Sequence, residues 1–351
     1  MLLVISGTTF IIYKVILAVA VFAVSLGVAA YATYGERKIA AFLQDRVGPD
    51  RAGPFGLLQP LADGVKMFMK EEIIPTVSNK ALFILGPSLF MITALLTGAV
   101  IPWGPDLVIG GERYPLQVTD VNIGVLYLLG VVSVGVYGIM LGGWASNNKY
   151  SLMGALRASS QMISYEIAMG LSVIALVMVT GTLSLREIAD QQTSWHWNII
   201  YQPLGFLIFF ICALAETNRA PFDLPECETE LVGGYHTEYS SMKLGLFLFS
   251  EYINMFISSA VMATFYFGGY NMPFIGRWVS DPNWLAFWGV IFFFGKIIFF
   301  IFTFMWIRWT LPRFRYDQLM NLGWKILIPL AIFNLAVVTP LIMLAFGKLK
   351  F

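Results

Sequence analysis

The sequence predicts an all-α polytopic membrane protein with eight transmembrane helices and one amphipathic helix lying in the membrane interface. Three observations predict it. Of 351 residues, 58% are hydrophobic and only 12% are charged, against about 25% charged in a soluble domain. Mean hydropathy is +0.74. Apolar runs of about 20 residues, the length of helix that crosses a bilayer, recur along the whole chain. No internal repeat, low-complexity tract or linker separates them, so residues 1–351 read as one transmembrane bundle domain. This composition excludes a soluble enzyme, a disordered chain and a nucleic-acid binder. A net charge of +1 leaves no bulk field to attract a polyanion.

The predicted spans are roughly 10–33, 81–101, 121–143, 160–181, 203–218, 244–267, 285–307 and 325–346. The fifth is short and ends in polar residues. The first carries a small-x-small pattern at Ala30-Tyr31-Ala32, but its apolar run is too long for a signal peptide and its only N-terminal base is Lys14. It is therefore expected to stay as a span. Of the 22 Lys and Arg, 15 fall in the odd-numbered loops and six in the even loops and tails. Positive charge marks the cytoplasmic side, so both termini are expected outside. The remaining base, Lys296, lies within the seventh span.

The first cytoplasmic loop, residues 34–80, opens with Glu36-Arg37-Lys38. Alone, these charges read as an anchor just past a span. Val47-Gly48-Pro49 and Ala52-Gly53-Pro54 punctuate the loop as tight turns. Leu58, Leu61, Val65, Phe68 and Met69 then recur at helical spacing, opposite Gln59, Asp63, Lys66 and Lys70. That pattern suits the interfacial helix, with Pro60 in its first turn. Asp63 and Lys66 read as an i,i+3 surface pair.

Glu166, Glu216 and Glu251 fall within or at the ends of the fourth, fifth and sixth spans. A charge at the bilayer centre costs roughly 2.5–3.5 kcal/mol even on a lenient scale, so such groups face protein or water and serve a purpose. With only Lys296 deep in a span, ion pairing does not account for all three; protonated, hydrogen-bonded carboxyls are the alternative. From Glu216 to Glu238 the third cytoplasmic loop carries Glu216, Asp223, Glu226, Glu228, Glu230 and Glu238 against one base, Arg219. Apolar Phe222, Leu224, Leu231 and Val232 interleave them, which favours a folded, partly buried acidic funnel over a solvated loop. Closely spaced carboxyls titrate together, as a proton relay requires. Glu216 and Arg219, three apart, are expected to share a helix face. After the seventh span, Arg308, Arg313 and Arg315 alternate with aromatics, the composition of an interfacial belt.

The two cysteines and two histidines support no disulfide framework, four-thiolate metal site or intramembrane bis-histidine haem. No phosphate-binding loop or dinucleotide fingerprint occurs. The chain by itself is expected to hold no redox cofactor.

Three blocks together resemble one family. They are Glu36-Arg37-Lys38 through Gln44, Arg46, Gly48-Pro49, Ala62-Asp63, Lys66 and Lys70-Glu71; Ala215 through Leu224, with Glu226, Glu228, Glu230-Leu231-Val232 and Glu238-Tyr239; and Arg308 through Arg313 and Arg315-Tyr316-Asp317-Gln318-Leu319. The family is the membrane subunit of proton-pumping NADH:quinone oxidoreductase (respiratory complex I), called the H subunit in bacteria and chain 1 in mitochondria. The resemblance covers essentially the whole chain. It implies a subunit at the junction of the electron-transfer arm and the membrane arm, forming much of the chamber that admits quinone, the substrate. FMN and iron–sulfur clusters are then carried by partner subunits. Partners are expected to be the peripheral quinone-site subunits, the antiporter-like membrane subunits and membrane lipid. The resemblance places Glu36, Arg37, Arg46, Asp63, Lys66 and Arg308 around the quinone chamber. It puts Asp223, Glu226, Glu228 and Glu230, with Arg219, in an acidic path that Glu216, Glu166 and Glu251 continue inward. The expected location is a bacterial plasma membrane, with a mitochondrial inner membrane as the alternative. Homologous subunits also serve hydrogenases and deazaflavin- or ferredoxin-linked dehydrogenases, and membrane carboxylates alone would also fit a stand-alone proton or cation transporter. A passive anchor for a soluble redox arm is the third reading.

Overall fold

The computed structural model describes residues 7–224, 228–273 and 281–345. Among them, seven helices are long and apolar enough to cross a membrane. In chain order the helices are α1 (Gly7–Leu43), α2 (Gln59–Met69), α3 (Lys80–Thr97), α4 (Gly124–Ala145), α5 (Lys149–Thr180), α6 (Leu185–Gln191), α7 (Asn198–Tyr201), α8 (Pro203–Glu216), α9 (Glu228–Leu231), α10 (Ser241–Tyr266) and α11 (Pro282–Thr310). The last, α12 (Tyr316–Ala345), contains two π-helical stretches, Leu322–Leu327 and Asn334–Val338. One short antiparallel hairpin departs from the all-α expectation. Its strands, β1 (Leu107–Ile109) and β2 (Glu112–Tyr114), pair Val108 with Arg113. Gly110 and Gly111 supply the two positive φ angles, 62° and 86°, that a two-residue turn requires.

The first predicted span continues without a break into the predicted loop. α1 has 37 residues, about 55 Å at 1.5 Å per residue, so it outruns the roughly 30 Å hydrocarbon core. Glu36 and Arg37 therefore ride on the last turns of α1, on a rigid element. Asn79 caps α3 by accepting from the Ala81 and Leu82 amides, and Asn148 caps α5 by accepting from Tyr150. α2 matches the predicted amphipathic segment, with Leu61, Val65, Phe68 and Met69 exposed along one side.

α10 is the most buried of the long helices and packs against α1, α3, α8 and α11. α3 and α4 approach most closely where glycines face each other: a Cβ on Gly86 would lie 2.8 Å from the Cα of Gly142. Small residues permit such contacts, which drive helix association where no water is expelled.

The fifth predicted span forms a helix of only 14 residues, α8, about 21 Å long. It does not reach the length of a regular span. It lies against α5 and α10, with Ile208, Phe209, Cys212, Ala213 and Ala215 buried. A buried side-chain network ties the start of α8 to α12: Gln202 donates to the Thr339 hydroxyl at 2.9 Å and accepts from Asn334 at 3.0 Å. Buried polar side chains at membrane depth need partners from the protein, and these three supply one another.

Candidate functional site

A cavity of about 570 Å³ opens between the end of α1, the turns after it, α2, α10 and the end of α11. Glu36, Arg37, Arg46, Asp63, Lys66 and Arg308 all line it, as do Arg219 and Tyr252. Local chain geometry gathers them. Asp45 (φ 53°) ends α1 and the Arg46 amide donates to the Ala41 carbonyl at 2.7 Å, which holds Arg46 against the last turn; Gly48 (φ 69°) and Gly53 (φ 74°) then turn the chain back and bring α2 against that helix. Asp63 then meets Arg37 at 2.8 Å and accepts from Gln59 at 3.1 Å. Asp63 and Lys66 therefore do not form the predicted surface pair; the carboxylate turns toward α1 and the cavity.

The centre of the site is Glu36, 6% exposed. It accepts from Arg308 Nη1 and, at 2.8 Å, from the Tyr252 hydroxyl. Arg219 Nη1 stands 4.0 Å from the same carboxylate. The Arg219 guanidinium lies 4.3 Å from the Tyr252 ring centre, and its Nη2 reaches Glu251 Oε2 at 3.0 Å. Glu251, 1% exposed, also accepts from the Tyr235 hydroxyl at 2.7 Å. A continuous polar chain thus runs from Arg308 through Glu36, Arg219 and Glu251 to Tyr235, from the cavity wall into the bundle interior. The bonds of Arg308 and Tyr252 to Glu36 and of Tyr235 to Glu251 are charge-assisted hydrogen bonds, strong and geometrically specific, and Arg219 joins the two carboxylates as an ion-pair contact to each.

Arg219 overturns one expectation. It shares no helix face with Glu216, because α8 ends at Glu216 and Asn218 takes a positive φ of 50°. The chain reverses there, and Arg219 swings to Glu36 and Glu251 instead. A base from the third loop thereby reaches a membrane glutamate, so Lys296 is not the only cation available at that depth. The loop holding it is fixed from the other side: the Phe314 amide donates to the Pro221 carbonyl at 3.1 Å, and the Phe222 and Phe314 rings lie 5.5 Å apart.

The remaining carboxylates separate. Glu216 lines a second, small cavity with Thr93, Thr97 and Asn254, within electrostatic reach of Glu166. Glu166 in turn accepts from Ser133 of α4. Glu230 pairs with Arg157 of α5 at 2.5 Å, and Glu238 accepts from Asn148 at 2.6 Å. Asp223 is half-buried, Glu228 begins α9, and Glu226 lies outside the described residues. Among the described residues, no three His, Cys, Asp or Glu side chains gather as a metal site.

Sequence reasoning passed over Tyr252 and Tyr235. The signal for Tyr252 was its place beside Glu251 in a span, since a phenol buried in a membrane helix needs a hydrogen-bond partner. Tyr235 lay among acidic loop residues and carried no such signal.

Comparison with known proteins identifies the family. A family model described as NADH dehydrogenase matches residues 15–339. The NADH-quinone oxidoreductase H subunit numbered 1 in Cytophaga hutchinsonii is 71% identical over 335 residues, covering 95% of this chain and 98% of that protein. The H subunit of Flavobacterium johnsoniae is 62% identical over 333 residues, covering 94% and 95%. The H subunit numbered 2 in Geobacter metallireducens, at 50% identity over 338 residues, covers 93% and 94%. The chain belongs to the family of NADH-quinone oxidoreductase H subunits, the membrane subunit of complex I, which is not catalytic alone.

Proposed function

We propose that the cavity is the part of the quinone chamber that this chain contributes, and that the polar chain leaving it couples quinone reduction to proton translocation. Partner subunits supply the electrons through FMN and iron–sulfur clusters; this chain supplies charge, shape and proton-exchanging groups. Its direct partners are then the peripheral quinone-site subunits and the antiporter-like membrane subunits. In this reading α8 counts as the eighth crossing, completed by the polar segments at its ends, and α2 lies in the cytoplasmic interface with lipid against its apolar side. Both termini face the periplasm of a bacterial plasma membrane, in line with the Lys and Arg distribution and the bacterial relatives.

The observation that carries the reading is the chain Arg308–Glu36–Arg219–Glu251–Tyr235. One unit of charge appearing about 8 Å from a carboxylate, at an effective dielectric of about 20, is worth roughly 2 kcal/mol. That suffices to move a proton between groups already close in affinity. Quinone reduction therefore acts on the glutamates by electrostatics and hydration, with no group carried through the membrane. Glu216 and Glu166, facing the second cavity and Ser133, continue the path. Assembled complexes bearing Glu216→Gln or Glu166→Gln test this: quinone reduction and proton transport are expected to fall together. If both substitutions leave both activities untouched, the coupling role is wrong. Transport by the isolated chain without donor or quinone would favour a stand-alone transporter instead.

A further inference from the structure

Lys296 is the fifteenth of the 29 residues of α11, at the midpoint of a membrane-spanning helix and far along it from Arg308. Its ammonium donates to three backbone carbonyls, those of Phe267 and Gly269 at 2.7 Å and of Asn271 at 2.9 Å. An ammonium has three donors and no acceptor, so these three bonds use its full capacity. The carbonyls belong to the turn that ends α10. Gly268 and Gly269 both take positive φ, 74° and 52°, which curls the chain so that alternate carbonyls point at one spot. A Cβ on Gly268 would lie 3.3 Å from the Trp197 ring and from the Gln192 carbonyl oxygen, so the curl is also closely walled.

Other polar groups complete the same device. The last turn of a helix leaves carbonyls without intrahelical partners, and at membrane depth they need donors from elsewhere. Gln192 donates to the Thr264 carbonyl at 2.8 Å, and Asn198 donates to the Phe265 carbonyl at 2.8 Å. Gln192 Oε1 accepts from the Gly268 amide at 2.9 Å. Trp197 stands with its ring centre 5.5 Å from the Lys296 ammonium. The helix macrodipole adds partial negative charge at this end of α10. Three convergent hard oxygens, a helix C-terminus and an aromatic face are what a small monovalent cation prefers.

We infer that the turn after α10 is a monovalent-cation cradle occupied by a tethered cation, the Lys296 ammonium. Lys296 is thus a positioning residue that acts by charge and not by packing. It fixes the far end of α10 to the middle of α11, and so sets the register of the two helices that carry Glu251, Tyr252 and Arg308 to the chamber. Removing the tether leaves a vacant cradle that accepts a primary ammonium ion.

The test uses the assembled complex in native membranes with Lys296→Ala, Lys296→Met and Lys296→Arg, and methylammonium as the probe. The readouts are assembled complex per unit membrane, its thermal inactivation, and quinone turnover per assembled complex. Lys296→Ala and Lys296→Met are expected to lose roughly tenfold in assembled, active complex, from the loss of charge-assisted hydrogen bonds. Lys296→Arg is expected to retain most of it. Millimolar methylammonium supplied during growth and assay should restore Lys296→Ala. It should not restore Lys296→Met, whose side chain fills the approach, and tetramethylammonium, which donates no hydrogen bond, should restore neither. Equal behaviour of Lys296→Met and Lys296→Arg would overturn the inference, because packing would then suffice. Failure of methylammonium to distinguish Lys296→Ala from Lys296→Met would overturn it as well. Assembly and thermal inactivation read the cradle independently of whether the chamber binds quinone.

Discussion

Removing Arg219 tests the polar chain most directly. Arg219→Met keeps length and apolar stem but deletes the guanidinium that stands 3.0 Å from Glu251 and 4.0 Å from Glu36. Glu36 keeps Arg308 and Tyr252, so its loss is partly covered. Glu251, 1% exposed, keeps the Tyr235 hydroxyl but loses its facing charge. At an effective dielectric of about 20, charges about 4 Å apart attract by about 4 kcal/mol. Breaking a buried pair by removing one partner costs about 3–5 kcal/mol. Arg219→Met is therefore expected to lower the yield and thermal resistance of the complex sharply, and quinone turnover with them. Adding Glu251→Gln removes the stranded charge. The double variant should be milder than Arg219→Met alone, with a coupling of at least about 2 kcal/mol in the cycle. The assay is thermal inactivation of quinone reduction, normalised to assembled complex on native gels. A benign Arg219→Met, or a double variant no better than the single, refutes the pairing as the organising interaction of the site.

Three further outcomes follow from the geometry. Gly86→Ala places a methyl 2.8 Å from the Gly142 backbone and should cost about 1–3 kcal/mol through forced separation of α3 and α4, read as lower thermal resistance. Asp63→Asn breaks a half-exposed pair with Arg37 and should change stability by less than about 1 kcal/mol, yet raise the apparent KM for quinone if the cavity is the chamber. Tyr239 donates to the carbonyls of Phe83 at 3.1 Å and Gly142 at 3.2 Å, and burial raises its phenol above the ordinary value. Its stabilising contribution is therefore full below about pH 10, the unfolded value, and is lost as pH rises through the folded one; the thermal gap between wild type and Tyr239→Phe should narrow on going from neutral to strongly alkaline pH.

Much of this architecture was legible in the sequence because a bilayer leaves few options for a long apolar run. Hydropathy alone located the long helices, and the spacing of Leu61, Val65, Phe68 and Met69 located α2. What escaped was decided by single backbone angles and by contacts across hundreds of residues. The positive φ of Asn218 sends Arg219 away from Glu216, and nothing in residue spacing encodes that reversal. Glu36 and Arg308 lie 272 residues apart, so only the resemblance placed them around one chamber. The break expected after the first span did not occur because no Gly-Pro signal precedes Gly48. The shortness of α8 was visible as a short apolar run, but the contacts of Gln202, just before it, with Asn334 and Thr339 of α12 join positions 132 and 137 residues apart and left no local signal.

The two antiparallel helices α10 and α11 make the site more than a set of lining residues. They are joined by charge at two levels. Near the cavity, Arg308 of α11 binds Glu36, which Tyr252 of α10 also binds. Farther along, Lys296 of α11 binds the turn that closes α10. Helices in lipid gain little from apolar burial against each other, so close packing together with polar links of this kind sets register. With the far level fixed, a charge change in the cavity has little freedom to be absorbed by sliding of α10 against α11. On the proposed coupling, it is met by rearrangement among Glu36, Arg219, Glu251 and the tyrosines. That is the physical condition for electrostatic coupling: a rigid frame around a small set of groups whose pairing can change. Loosening the far level through Lys296→Ala should therefore weaken proton transport more than quinone reduction in whatever complex still assembles. Equal loss of both would mean that register matters for the chamber's shape and not for the transmission of charge.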